Sequence, residues 1–550
     1  MSAIKIVSSM EKCFLDDKIS DIKEKNSFVM FKNEKLSFQV VYSIENLHNK
    51  LLTVKLGGSL ADYASVMEVV SVPVAYPVRE DTKCNIDCIR KTPGLYPDLI
   101  RPLHYRGKVR NIHGQLHALW VDVKLDENAD ISNGNLTVAL VDGVELVSAE
   151  AKIHVVNAEL PPQKLVHTEW FYTDCIAEAN HTTAFSEKHW RAIESYLKLA
   201  VDNGINMILT PVFTPEIDTY IGGERMTTQL VEITLESNGE YSFNFDKLGR
   251  WIDTCHKCGV RYFEIPHFFT QWGADHAPKF VAKVKGRTKK IFGWETDSMG
   301  NEYKTFLSKF IPALVSYLKE KGVDKNCYYH ISDEPVMKNL EKYKACKEMI
   351  APYLKGYNII DALSHVEFYD TGILDKPVPS LHKIEDFLER NIPKLWAYYC
   401  GFGITVESQR MISQYTFRTR ILGVQLYKHN IEGFLHWGFN FYHNQYSYDY
   451  VDPLGCTDAE YFAPSGDGFL VYPGNDGEAW SSIRLNAMRE AVDDIRALEL
   501  CEKLCGRDVV EKLIAEGTDE GLTFKSYPRN NEYLISLREK IAKAVEEKIG

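Results

Sequence analysis

The residues best placed to do chemistry lie in Tyr328-Tyr329-His330-Ile331-Ser332-Asp333-Glu334-Pro335, where an apolar run ends in two adjacent carboxylates. The proline after them forces the chain out of any sheet. Two acids crowded at the mouth of a cavity raise at least one pKa, through like-charge repulsion and partial burial. A protonated acid beside a carboxylate is the equipment of a glycosidase, in which one group protonates the departing oxygen. The same residues also read as a helix start, with Asp333 as the cap and Glu334 and Pro335 in the first turn. Spacing alone leaves the two readings level.

Separation narrows the chemistry further. Consecutive α-carbons are about 3.8 Å apart, so neighbouring residues do not easily reach opposite faces of one sugar, as a separate acid and nucleophile must. A nucleophile supplied by the substrate removes the difficulty. In a 2-acetamido sugar the acetamido oxygen can attack the anomeric carbon, while one carboxylate orients the amide N–H and the other protonates the leaving oxygen.

Other segment ends carry sugar-binding residue types: Glu169-Trp170-Phe171-Tyr172-Thr173-Asp174, His267-Phe268-Phe269-Thr270-Gln271-Trp272, Trp396-Ala397-Tyr398-Tyr399 and His436-Trp437-Gly438-Phe439-Asn440. A pyranose has an apolar C–H face and a rim of hydroxyls, so its site needs aromatic platforms with polar side chains around them. Barrel-core or loop packing is the better account of any single aromatic; their clustering at segment ends is what points to a ligand.

No metal or nucleotide cofactor is expected. Cys255-His256-Lys257-Cys258 has no second pair at zinc-site spacing, Cys84 and Cys88 stand alone, and the histidines lack an H-E-x-x-H arrangement. Glycine-rich phosphate-binding strings are absent as well.

These residues need large elements to hold them. The chain has 550 residues, 45% hydrophobic and 25% charged, which suits several folded domains rather than a lone binding module or a disordered chain. A net charge of −12 disfavours nucleic acid as the main partner. The amino terminus lacks an apolar signal core, no stretch suits a membrane span, and the twelve cysteines are too scattered for a disulfide scaffold, so a cytoplasmic protein without membrane insertion is expected.

From Ser27 to Glu150, short segments of period-two alternation between turn residues predict an antiparallel β-sandwich over residues 1–160. Pro161-Pro162 closes it. Beyond, apolar runs alternate with amphipathic helical stretches, and eight strands are expected: Val166–Phe171, Asn206–Pro211, Tyr262–His267, Cys327–Ser332, Asn358–Leu363, Lys376–Leu381, Lys394–Cys400 and Gly433–Phe439. With helices at Glu187–Val201, Asp246–Cys258, Glu302–Lys321 and Gln409–His429, they predict a (β/α)8 TIM barrel over 161–505. Residues from Ala479 onward read as helical, and 506–550 as a helical extension.

Several strings, in this order, resemble glycoside hydrolase family 123. They are His167-Thr168-Glu169-Trp170-Phe171-Tyr172-Thr173-Asp174-Cys175-Ile176-Ala177, Thr214-Pro215-Glu216-Ile217-Asp218-Thr219, Gly222-Gly223-Glu224-Arg225, Gln271-Trp272-Gly273-Ala274, Ser332-Asp333-Glu334-Pro335, Gly433-Phe434-Leu435-His436-Trp437-Gly438-Phe439-Asn440 and Phe469-Leu470-Val471-Tyr472-Pro473-Gly474. One departure is Glu216, where the family string has a second proline. The resemblance implies a β-sandwich and a (β/α)8 barrel. It also implies a retaining exo-β-N-acetylgalactosaminidase that uses substrate assistance on terminal β-GalNAc of glycosphingolipid glycans, with an oligosaccharide as its partner. Asp333 would orient and polarise the acetamido group, and Glu334 would be general acid and then general base. Asp174, Asp218, Arg225, His267, Gln271, Trp272, Tyr399, Trp437 and Asn440 fall on motif positions and would bind substrate. A structural pairing of Arg225 with Glu224 or Asp218 stands level with that role. The competing readings are a β-N-acetylglucosaminidase and a catalytically silent carbohydrate-binding barrel.

Overall fold

The computed structural model describes residues 2–78, 86–103, 107–127, 129–401, 405–518 and 521–550; Cys84 lies outside them. Two sheets face one another in the amino-terminal part. One has Ala3–Ser8, Lys35–Ser43, His117–Lys124, Ala64–Val74 and Gly94–Pro102 in that order; the other has Ser27–Phe31, Val144–Val156, Asn133–Asp142, Lys50–Gly57 and Lys108–Asn111. Alternation drives the pairing. Phe38, Val40 and Tyr42, then Leu119, Val121 and Val123, and across from them Leu136, Val138 and Leu140 recur at every second position, so each set lies on one face and is buried between the sheets.

The all-antiparallel expectation needs correcting in one pair: Ser27–Phe31 runs parallel to the end of Val144–Val156, with Lys152 opposite Ser27. A second correction concerns Ala479 onward. Ala479–Ser482 is a strand, pairing antiparallel with Gly94–Pro102 and with Tyr472–Pro473, so the first sheet is completed by residues that follow the barrel; helix begins only at Ile483.

All eight expected barrel strands are present, as Val166–Glu169, Met207–Leu209, Tyr262–Ile265, Cys327–Tyr329, Asn358–Leu363, Lys376–Pro379, Trp396–Tyr398 and Gly433–His436, each but the fifth shorter than expected. They are parallel and adjacent in chain order, and the eighth pairs with both the first and the seventh. Between the sixth and seventh the ring closes through a parallel bridge from Ser380 to Tyr398 and a 2.8 Å hydrogen bond from Leu381 N–H to the Tyr398 carbonyl. The helices after the fifth and sixth strands are short, Glu367–Asp370 and Ile384–Leu388. The helix expected from Gln409 starts at Phe417. Residues before it are drawn out because the fully buried Arg410 reaches Glu169 Oε2 at 2.6 Å and the Gly438 carbonyl at 2.5 Å.

A third sheet, not expected from the sequence, combines Tyr241–Asn244, Glu232–Leu235, Phe280–Val284 and Arg287–Phe292. It is built from the excursions after the second and third barrel strands and packs Phe243 and Phe280 on Phe306 and Phe310 of the helix Asn301–Glu320. The carboxy-terminal helices are Ile483–Cys505, Arg507–Ala515 and Asn531–Ile549. The first crosses Phe417–Lys428 so closely that a β-carbon on Gly423 would stand 2.1 Å from the Ala491 carbonyl oxygen, a contact open only to glycine. Among the described residues no helix is long and apolar enough to cross a membrane.

Candidate active site

Asp333 and Glu334 stand where the fourth strand leaves the barrel at its C-terminal end. No helix follows directly: a 3₁₀ turn covers Met337–Asn339 and the helix starts at Leu340, with Asn339 as its cap, so the carboxylates are not consumed in capping. Instead the chain turns sharply, with Glu334 at φ +42°, a left-handed conformation that costs a non-glycine residue roughly 1–2 kcal/mol. Neighbouring segments hold the turn. Trp272 N–H donates to the Asp333 carbonyl at 3.2 Å, Glu334 N–H donates to the Ala362 carbonyl at 3.1 Å, and Ser332 Oγ donates to the Thr270 carbonyl at 2.8 Å.

Both acids line a cavity of about 310 Å³ whose wall includes Trp170, Asp218, Gln271, Trp272, Tyr398, Trp437 and Tyr446. Hydrogen bonds hold several of these wall residues. Trp170 Nε1 donates to Glu264 Oε1 at 2.8 Å, and Trp437 Nε1 donates to Asp467 Oδ2 at 3.3 Å. The Tyr398 hydroxyl, from the seventh strand, donates to Glu334 Oε1 at 2.6 Å. Gln271 Oε1 accepts from Asp218 N–H at 2.6 Å, and Asp218 Oδ2 accepts from Tyr446 N–H at 3.1 Å, which ties the loop after the eighth strand to the loop after the second. Trp272 remains 43% exposed, with Tyr446 edge-on to its ring at 5.7 Å.

The electrostatics single out Asp333 and Asp218. Burial, then the charge of Glu334, pushes Asp333 well above the usual carboxylate range; Asp361 and Asp218 add to this and His330 opposes it. Asp218 rises to about 6 through burial, against the Tyr446 N–H and Arg225. Asp333 and Asp218 thus hold their protons to higher pH than ordinary carboxyls do, which is acid–base equipment at the foot of aromatic walls.

The family model described as glycoside hydrolase 123, catalytic domain, matches residues 170–501. The chain belongs to glycoside hydrolase family 123. It is a glycosidase. A solved family 123 glycoside hydrolase from Clostridium perfringens, studied for glycolipid glycan hydrolysis, shares the fold at a TM-score of 0.72 and 17% identity, over 100% of this chain and 98% of that one. More distant likenesses include a Parabacteroides merdae β-glucuronidase (TM-score 0.29, 9% identity, 80% and 48% covered) and an endo-β-1,4-mannanase from Thermotoga petrophila (0.34, 15%, 62% and 78%). No curated protein matches the chain.

Of the residues that the family motifs single out, Asp333, Glu334, Asp218, Gln271, Trp272 and Trp437 meet at the cavity. The other five stand behind its wall. Arg225 is buried and donates from Nε to Asp174 Oδ2 at 2.7 Å, so those two form an ion pair under Tyr172 and Phe441. Its partner is thus Asp174 rather than Glu224 or Asp218; Glu224 pairs with Lys279 and Lys290. Asn440 bridges the Tyr172 N–H and carbonyl, both at 2.9 Å. His267 packs between Trp170, which it meets edge-on, and the tilted ring of His330. Tyr399 packs on Phe434 and His436, and it is its neighbour Tyr398 that faces the cavity, because successive residues leave a strand on opposite sides. Tyr398, Gln445, Tyr446 and Phe462 are cavity residues that sequence reasoning misses; for Tyr398 the signal is present, one residue from the motif position.

Two side-chain groups bring metal-binding atom types together: His267, His330 and Asp361, and Asp174, Cys175 and His443. In each, donor atoms are already taken. In the first, His330 Nε2 is bound by Glu264 Oε1 at 2.7 Å and Nδ1 by Asp361 Oδ1 at 3.0 Å. In the second, Asp174 is taken by Arg225, and Cys175 Sγ by His443 Nδ1 at 3.3 Å and Tyr442 N–H at 3.3 Å.

Proposed function

We propose that this glycosidase is a retaining exo-β-N-acetylgalactosaminidase that removes terminal β-GalNAc from glycolipid-type glycans with the substrate's own acetamido oxygen as nucleophile. One observation carries the reading: both acids project from a single turn into one wall of a cavity of about 310 Å³, room for one terminal sugar. From there they reach one side of the anomeric carbon rather than both. Family membership, together with the glycolipid glycan hydrolysis for which the Clostridium perfringens relative was studied, supports the substrate class.

The chemistry follows from the acids' unequal settings. An acetamido N–H directed at Asp333 donates to its charged form and so lowers its pKa. The proton held by the pair then resides on Glu334, ready for the leaving oxygen. Asp333 polarises the amide, its oxygen attacks the anomeric carbon, and the bond to the leaving oxygen breaks as Glu334 gives up its proton. Glu334, now a carboxylate steadied by the Tyr398 hydroxyl, next takes a proton from water, which opens the cyclic intermediate with retention. Trp170, Trp272 and Trp437 supply apolar faces for the ring.

Substrates with mono-, di- and trifluoroacetyl groups test the nucleophile. kcat/KM should fall steeply along the series, as electron withdrawal weakens the amide oxygen. A flat series, together with a 2-fluoro sugar trapped as an ester on Asp333 or Asp218, would overturn substrate assistance and leave the glycosidase standing. Faster turnover of aryl β-GlcNAc than aryl β-GalNAc would favour the glucosaminidase reading, since the same assistance serves either C4 epimer. No nitrophenol from any aryl glycoside would favour a silent binder.

A further inference from the structure

His330 is the first residue beyond the fourth strand and three before Asp333, and the proposed reaction gives it no part. Both of its ring nitrogens meet carboxylates from neighbouring strands: Nε2 lies 2.7 Å from Glu264 Oε1 and Nδ1 3.0 Å from Asp361 Oδ1, with all three side chains sealed from solvent. A neutral imidazole has one N–H and could donate to only one of them. Two carboxylate partners call for the doubly protonated ring; burial opposes that charge, but the hydrogen bonds to Asp361 and Glu264 hold His330 up at about 10.

The clamp extends to the site at both ends. Asp361 accepts from Ile331 N–H at 3.1 Å with each oxygen and from the Tyr343 hydroxyl at 2.5 Å, pinning the backbone that leads into the acids. Glu264 accepts from Trp170 Nε1 in the cavity wall and from the Thr168 hydroxyl. We propose that His330 is a positioning residue for the reaction, its imidazolium locking the Asp333–Glu334 turn against Trp170 and setting a positive charge beneath the carboxylate pair.

The charges around Asp333 make this consequential. Glu334 from the same turn, Asp361 from the fifth strand and Asp218 from the loop after the second all disfavour its ionised form, and His330 is the cation that favours it. Around His330 itself stand Glu264 and His267 from the third strand and its end, Asp361 from the fifth, Asp333 from its own turn, and the uncharged Trp170 just beyond the first. His267 is neutral there, driven well below its usual pKa by burial and by the charge on His330.

The proposal rests on Asp333 acting as the working carboxylate, and its test is a pH profile of kcat/KM on an aryl β-N-acetylgalactosaminide for the whole chain and two variants. In His330→Gln, loss of the cation favours protonated Asp333, so the acidic limb should move about one unit to higher pH. kcat should fall at least tenfold, with KM changed by less than about threefold. The double variant His330→Gln/Glu264→Gln also neutralises the buried carboxylate that has lost its cation, leaving an amide oxygen for Trp170 and Thr168, and should recover melting temperature while its acidic limb stays displaced. Histidine-labelled wild-type protein should show two ring N–H protons on His330 at pH 8. A limb unmoved in both variants, with rates that merely follow the folded fraction, or a singly protonated His330 at neutral pH, would overturn the proposal. If the wild type cleaves a different aryl glycoside instead, the substrate reading fails, and the same profiles on that glycoside still decide the role of His330.

Discussion

At the residue scale, the two acids carry separable predictions. Glu334→Gln should reduce kcat/KM on natural oligosaccharides by about 10² to 10⁴, the usual worth of general acid–base help. On dinitrophenyl glycosides, whose leaving groups need no proton, it should do far less; a leaving-group series measures the difference. Asp333 must ionise to polarise the amide, and its pKa is raised by burial and by Glu334. Activity should accordingly be present above that raised pKa and disappear as pH falls through it, with the acidic limb of kcat/KM above the ordinary carboxylate range. Reading the strand ends draws attention to Asp333, Glu334, Gln271, Trp272 and Trp437, which line the cavity, and the family motifs add Asp218. It does not separate Tyr398 from Tyr399, since which alternate face turns inward depends on registry with neighbouring strands. Nor does it show Glu264, His330 and Asp361 as one unit, because their proximity arises only when three strands pair.

At the element scale, the barrel strands are legible as apolar runs between helices, and the sandwich strands as period-two alternation. The sheet above the barrel is not. Glu232–Leu235 is too short to show a period, and Arg287-Thr288-Lys289-Lys290 reads as a solvated loop although it pairs with Phe280–Val284. The helix expected at Gln409 misleads for a related reason: its first turn has helical spacing, but Arg410 gains more from Glu169 inside the barrel. Helix against helix, Gly423 permits a test. Gly423→Ala pushes a methyl into the Ala491 backbone, which cannot swing aside as a side chain can. Overpacking of this kind costs about 1–3 kcal/mol or more. The denaturation midpoint should drop although alanine is the better helix former, and an unchanged midpoint would show that the helices slide apart freely.

At the scale of the whole molecule, sandwich and barrel are joined through buried charge. Arg484, in the helix that follows the last strand, donates to Asp98 of the first sheet at 2.9 and 2.8 Å, and the Tyr472 hydroxyl donates to the same carboxylate at 2.7 Å. Asp98→Ala leaves a buried guanidinium unpaired and should lower stability by about 3–5 kcal/mol, read as a urea midpoint shift common to fluorescence from both parts. Separate transitions by the two probes would show that the parts are only loosely coupled. The strand Ala479–Ser482 has a consequence for how the chain is made. Its partner Gly94–Pro102 leaves the ribosome nearly four hundred residues earlier, so that edge of the sheet must wait, unpaired, through synthesis of the entire barrel. Nascent chains halted after Pro161 should accordingly be protease-sensitive and prone to aggregate, becoming resistant only once residue 482 has cleared the exit tunnel. Order of synthesis and order of completion are here reversed: the sandwich, begun before the barrel, is finished after it.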